Sequence, residues 1–115
     1  MGNCLGRLRT KREFLEVTSQ KNKIVTDSFV IFSKYRNSQI NSDILIGYTV
    51  SGKIGNAVVR NKVKRRLRSA ASNVIKQKGT PGTNYVIIAR NKITRIPFES
   101  LENDLTYALQ KLSVT

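Results

Sequence analysis

The sequence predicts one α+β domain spanning residues 1–115, with elements in the order α-β-β-α-β-α packed as a two-layer sandwich. Period-2 apolar runs mark the strands, apolar residues three and four apart mark the helices, and the length suits one ordinary domain. A 39% hydrophobic content supplies one modest core.

Residues 11–17 place Phe14 and Val17 three apart with Leu15 beside them, which fits one or two turns of a short helix; Leu8 is expected to pack against it. In residues 24–32 β-branched and aromatic side chains alternate, so Val30 and Phe32 face one way and Phe29 and Ile31 the other. That is a strand. A polar stretch with turn formers follows, and residues 44–50, ILIGYTV, read as a second strand paired with the first as a hairpin, with Gly47 permitting a close approach. Asn56 then caps a helix that begins near Ala57 and runs toward Lys78, where KGTPGT ends it. Residues 84–90, NYVIIAR, are nearly continuously apolar and predict a buried inner strand. After Pro97, the residues Phe98, Leu101, Leu105, Ala108, Leu109 and Leu112 recur at three and four. The last helix therefore buries one side on the sheet and exposes Glu99, Glu102 and Asp104 on the other.

Charge narrows the function. The chain has 21 Lys and Arg against 7 Asp and Glu, a formal net charge of +14, and its natural counterpart is a polyanion. Arg60, Lys62, Lys64, Arg65, Arg66 and Arg68 crowd into one stretch of the long helix, and residues 53–78 contain no acid at all. Solvated helices normally interleave acids. Val59, Val63, Leu67, Ala70 and Val74 form a core-facing stripe on the same helix. Arg60, Lys64 and Arg68 align at i, i+4, i+8 opposite or lateral to it with Asn61 and Arg65 beside them, and Lys62 and Arg66 sit toward the other margin. Each like-charge pair at this spacing costs a few tenths of a kcal/mol, a cost that neutralisation by phosphates offsets with affinity that is steeply salt dependent. Asn61 adds a neutral donor and acceptor. The stripe lacks Trp and Phe, which argues against a membrane surface, whereas spacing alone does not separate RNA from DNA. Phe14, Val30 and Phe32 offer a second surface, an aromatic-lined groove for an unpaired strand, with ordinary core packing as the competing expectation.

Catalytic groups are missing. There is no His, Cys4 stands alone, and the carboxylates are scattered, so neither a nucleophilic triad nor a two-metal cage is expected on this chain. A lone cysteine, no apolar run behind the basic N-terminus and no long apolar segment predict a cytoplasmic protein. An RNA binder without acid, base or metal ligands fits an accessory subunit whose partner performs the chemistry.

The segment SGKIGNAVVRNKVKRRLR, followed by YVIIAR, resembles the protein subunit of bacterial ribonuclease P over residues 7–112. That family's signature is an Arg-Asn-Arg core inside a basic helix; here it reads Arg60-Asn61-Lys62, with Lys53, Gly55, Ala57, Val58, Lys64 and Arg65 in place. The resemblance implies the fold of the second domain of ribosomal protein S5, with a left-handed β-α-β crossover. It implies a protein that joins ribonuclease P RNA, without needing a protein partner or a membrane. Together they remove the 5′ leader from precursor tRNA by hydrolysis at magnesium held mainly by the RNA. By position, Lys53, Arg60, Asn61, Lys62, Lys64, Arg65 and Arg68 are expected to contact the catalytic RNA. Phe14, Val30, Phe32 and Arg90 are expected to line the leader cleft. Lys62 replaces the second signature Arg, Gly52 stands where a basic residue is common, and Thr18 occupies a position often aromatic. The rival readings are a structural RNA-binding protein of similar fold and a stand-alone nuclease, the latter opposed by the missing ligands.

Overall fold

The computed structural model describes residues 5–19, 21–36 and 43–114. Cys4 lies outside them. Five strands form one mixed sheet in the order β1-β4-β5-β3-β2. In chain order the elements are β1 (Leu5–Arg7), α1 (Lys11–Thr18), β2 (Lys23–Val25), β3 (Phe29–Tyr35), β4 (Ile44–Thr49), α2 (Ala57–Lys78), β5 (Thr83–Ala89), a 3-10 turn (Asn91–Thr94) and α3 (Phe98–Val114). Among the described residues, no helix is long and apolar enough to cross a membrane.

Local chemistry sets each boundary. Thr10 caps α1 reciprocally: its hydroxyl oxygen accepts the Glu13 N–H, and the Glu13 carboxylate accepts the Thr10 N–H at 2.9 Å. Backbone N–H groups of Arg9 and Thr10 hold the Glu13 carboxyl below the usual glutamate range, so this cap is complete above that range and is lost as pH falls on through the lowered value. Asn56 caps α2 as expected, its side-chain oxygen accepting the Val59 N–H at 3.0 Å. Past Gly79 the chain turns at Gly82, whose φ of 75° suits glycine, and enters β5.

Two expectations change. The apolar run 24–32 is two strands, because Thr26 closes a turn in which its N–H and hydroxyl both meet Phe29, and β2 folds back antiparallel on β3. The anticipated hairpin of β3 with β4 does not form: β5 lies between them, antiparallel to β3 and parallel to β4. A strand apolar on both faces needs cover on both, and the centre of the sheet provides it. β1, which has no counterpart among the expected elements, pairs parallel with β4.

Alternation along the strands separates two cores. Phe29, Ile31, Ile44, Ile46, Tyr85 and Ile87 face α2 and α3, which bury Val63, Leu67, Ile75, Leu101 and Leu105 against them. On the opposite face α1 packs Val17 and Phe14 over Val86, Phe32 and Leu45, with Leu8 joining them. The last helix shows less acid to solvent than expected: Glu99 is exposed, but Asp104 is half-buried and accepts the Ser28 hydroxyl at 2.9 Å.

Gly47 makes the seat of α1 possible, since a Cβ there would fall 2.5 Å from the Phe14 ring. Gly47→Ala should therefore destabilise the fold by about 1–3 kcal/mol in urea unfolding, and most of that loss should vanish in a Phe14→Leu background. Gly52→Ala, where a Cβ meets open space, is the neutral control.

Candidate nucleic-acid interface

The charge of α2 is divided between the two margins of its buried stripe. With Val63, Leu67, Ala70, Ala71, Val74 and Ile75 inward, helical steps of about 100° place Lys64 and Arg68 at one margin and Arg66 at the other, with Lys62, Arg65 and Ser69 between. Asn61, Lys62, Arg65 and Arg68 are exposed, and Lys64 is half-buried. Arg60 departs from an open ridge: it is half-buried over the end of the stripe, and its Nε is shut away from solvent without a hydrogen-bond partner. Lys53 is exposed in the turn before the helix, where the Ile54 N–H reaches the Ser51 carbonyl at 3.1 Å.

At the first margin Lys64 and Arg68 share a hollow of about 150 Å³ with Arg7, Phe14, Gly47 and Tyr48. It forms where β1 stops at Arg7 while β4 continues to Thr49. Burial pushes the Tyr48 hydroxyl up to about 12, against the opposing pull of Arg68 and Arg7. Tyr48 is thus a neutral hydroxyl amid cations. The hollow joins the basic helix to the α1 face of the sheet.

On that face the remaining cleft candidates are spread out. Val30 is half-buried and lies directly across from Ile88, which pairs in turn with Thr49, a row beside the one α1 covers. Phe32 packs with Phe14, Val17 and Val86 in the smaller core and has the Lys23 ammonium 5.7 Å from its ring centroid. Arg90 is exposed, and its Nη1 donates to the Thr26 carbonyl at 2.9 Å. Phe14 alone of these four reaches the hollow.

The second margin is different. Arg66 turns away from solvent and donates to two carbonyls, Ile93 at 3.2 Å and Ile96 at 2.6 Å, tying α2 to the segment that leads into α3. Beside it opens a groove of about 670 Å³ lined by Lys62, Arg65, Ser69, Ser72, Asn73 and Phe98. Glu16 pairs with Arg12 and Lys34, and Glu102 accepts the Asn73 amide at 2.9 Å at the groove.

Arg7, Tyr48, Arg66 and the Ser69–Asn73 flank were not among the sequence candidates. Arg7 carried a signal as one of the basic residues near the N-terminus, and Arg66 as a member of the basic run placed at the other margin of the stripe. Among the described residues, no three carboxylate, Cys or His side chains gather into a metal site.

A family model described as Ribonuclease P matches residues 5–113. The ribonuclease P protein component of Ruegeria pomeroyi is 40% identical over 106 residues, covering 91% of this chain and 84% of the relative. That of Gluconacetobacter diazotrophicus is 36% identical, covering 99% of this chain and 97% of the relative. The solved ribonuclease P protein of Thermotoga maritima superimposes with a TM-score of 0.78 at 27% identity, over 91% of this chain and 96% of that one.

The two margins separate by experiment. Arg66→Ala should cost about 1–3 kcal/mol of stability in urea unfolding and leave the salt dependence of RNA affinity near that of the parent. Arg65→Ala should leave stability unchanged and make the log-log salt slope shallower by about 0.7–0.9.

Proposed function

The chain belongs to the ribonuclease P protein family, and from that premise we infer how its surfaces serve the enzyme. It is the protein component that joins ribonuclease P RNA in tRNA processing, an endoribonuclease whose catalytic centre is on the RNA. In our reading Lys53, Asn61, Lys62, Lys64, Arg65 and Arg68 meet the catalytic RNA. Arg60 adds its charge from a half-buried position. The 5′ leader of precursor tRNA crosses the α1 face past Phe14, with Val30, Phe32 and Arg90 farther along the same face.

The observation that carries this reading is the hollow shared by Lys64, Arg68 and Phe14. A strand leaving the basic helix through this hollow meets the Phe14 ring at once, so one sheet sets the distance between ribozyme and leader. The chain's work is positioning: cations neutralise phosphates, Phe14 offers a ring edge to an unpaired base, and the neutral Tyr48 hydroxyl can donate to a phosphate oxygen. Magnesium held by the RNA would supply the Lewis acid and activated water of the hydrolysis, while this chain's own residues position the phosphates and the leader. The cytoplasm, where precursor tRNA is made, is the proposed compartment.

Reconstitution with a bacterial ribonuclease P RNA tests the function directly. At low magnesium the protein should raise leader cleavage well above RNA alone, and protein without RNA should cleave nothing. A purely structural RNA binder would leave the rate of the RNA unchanged. In the reconstituted enzyme Phe14→Ala should impair substrates with long leaders more than those with short ones; equal loss on both would make Phe14 a packing residue only.

A further inference from the structure

Arg90 is held at both its backbone and its guanidinium by the turn that joins β2 to β3. Its N–H donates to the Ser28 carbonyl and its Nη1 to the Thr26 carbonyl, each at 2.9 Å. The same turn is anchored from α3: the Ser28 side chain is fully buried, and its hydroxyl donates to the Asp104 carboxylate at 2.9 Å across 76 residues of chain. Resting on the reading of the α1 face as the path of the leader, we propose that Ser28 and Asp104 are positioning residues for the leader, acting on it through Arg90. Asp104 belongs to α3, which packs on the opposite face of the sheet, so it has no direct route to that path.

The turn is a closed network rather than a single contact. The Thr26 N–H donates to the Phe29 carbonyl at 2.8 Å, the Thr26 hydroxyl oxygen accepts the Phe29 N–H at 3.1 Å, and that hydroxyl lies 3.3 Å from the one on Ser28. Loss of the Ser28–Asp104 bond therefore loosens the corner on which the Thr26 carbonyl sits. Arg90 itself keeps extended backbone, with φ −109° and ψ 162°, and continues β5 one residue past Ala89. Period-2 alternation gives its side chain the face of Ile88, in the row that runs from Val30 to Thr49. The Thr26 carbonyl takes up one donor of the guanidinium without cancelling its charge, and the remaining donors are free to meet a phosphate from an exposed position. An exposed arginine that must be ordered on binding loses affinity to that ordering, whereas one already tied to the turn has lost much of this freedom beforehand.

The test uses full-length protein at saturating concentration on ribonuclease P RNA, with Arg90→Ala, Asp104→Ala, Asp104→Asn, Ser28→Ala and the Arg90→Ala/Asp104→Ala pair. Affinity of the assembled enzyme for precursor tRNA is measured with a long and with a short leader, and affinity for the RNA alongside. Arg90→Ala should weaken long-leader binding about three- to fivefold more than short-leader binding, the size of one exposed ionic contact. Asp104→Ala should show about a twofold loss of the same kind, and none beyond that of Arg90→Ala in the pair, because both act on one guanidinium. Asp104→Asn keeps an oxygen that accepts the Ser28 hydroxyl and should restore the affinity of the parent. Ser28→Ala removes the same bond without leaving a buried hydroxyl unpaired, so it should repeat the Asp104→Ala result and decides the matter if that variant is unstable. A fold defect would instead lower affinity for the RNA and for both leaders alike. Additive losses in the pair would overturn the proposal, as would an Asp104→Asn protein that behaves like Asp104→Ala. A leader-dependent loss in Arg90→Ala with none in Asp104→Ala and Ser28→Ala would overturn it while leaving the leader path in place. No leader-dependent loss in Arg90→Ala would reject the assignment of Arg90 to the leader and the proposal with it.

Discussion

The arrangement depends on the burial of one side of α2. A helix with this much like charge and no acid is a poor helix by itself, because neighbouring cations at i, i+4 oppose one another and isolated helices gain little from propensity. Val63, Leu67, Val74 and Ile75 are buried against the sheet, and each apolar side chain of this size contributes about 1.5–3 kcal/mol on burial, several times the repulsion of a charge pair. The core therefore holds the cations where they would not hold themselves. Repulsion left over in the free protein becomes affinity, since a phosphate that neutralises a cation removes part of it.

Topology decides which neighbours those cations acquire. β4 and β5 are adjacent and parallel, and α2 is the connection between them. The basic N-terminal half of the helix consequently starts just after Thr49, beside the stretch of β4 that β1 leaves unpaired. Gly47 lies in that same stretch and admits the Phe14 ring from the other face. One strand thus brings Lys64, Arg68 and an α1 aromatic together although they come from distant parts of the sequence. Central placement of β5 makes this geometry stiff, because β5 is paired on both sides and covered on both faces.

Elements governed by local chemistry were legible in the sequence, and those governed by distant pairing were not. Asn56, the apolar stripe and KGTPGT defined α2 within its own residues, and the alternation of Phe29 to Phe32 assigned the two faces of β3 correctly. Gly47 was legible as a close approach, but not that Phe14 would be the group approaching. The insertion of β5 between β3 and β4 has no local signature, since a strand's hydrogen bonds are indifferent to sequence order. At the candidate site the division of charge was half visible. Helical periodicity separated Lys62 and Arg66 from Lys64 and Arg68, yet the withdrawal of Arg66 depends on carbonyls 27 and 30 residues away.

The departures from the family signature fall where the structure constrains side-chain identity least. Lys62 is exposed at the groove, where a compact point charge answers a phosphate without the two-pronged geometry that an arginine supplies. Gly52 lies in an exposed turn with open space around it, so packing neither requires glycine nor forbids a basic side chain. Thr18 ends α1, half-buried, with its hydroxyl directed to the Leu15 carbonyl at 3.5 Å. An aromatic there would have continued the line of Phe14 one turn onward. Its replacement by threonine concentrates the stacking capacity of α1 in Phe14, the ring that Gly47 seats and that Lys64 and Arg68 face across the hollow. A base held by one ring rather than two gains less from stacking, so in the proposed reading more of the grip on a leader would fall to the cations around that hollow.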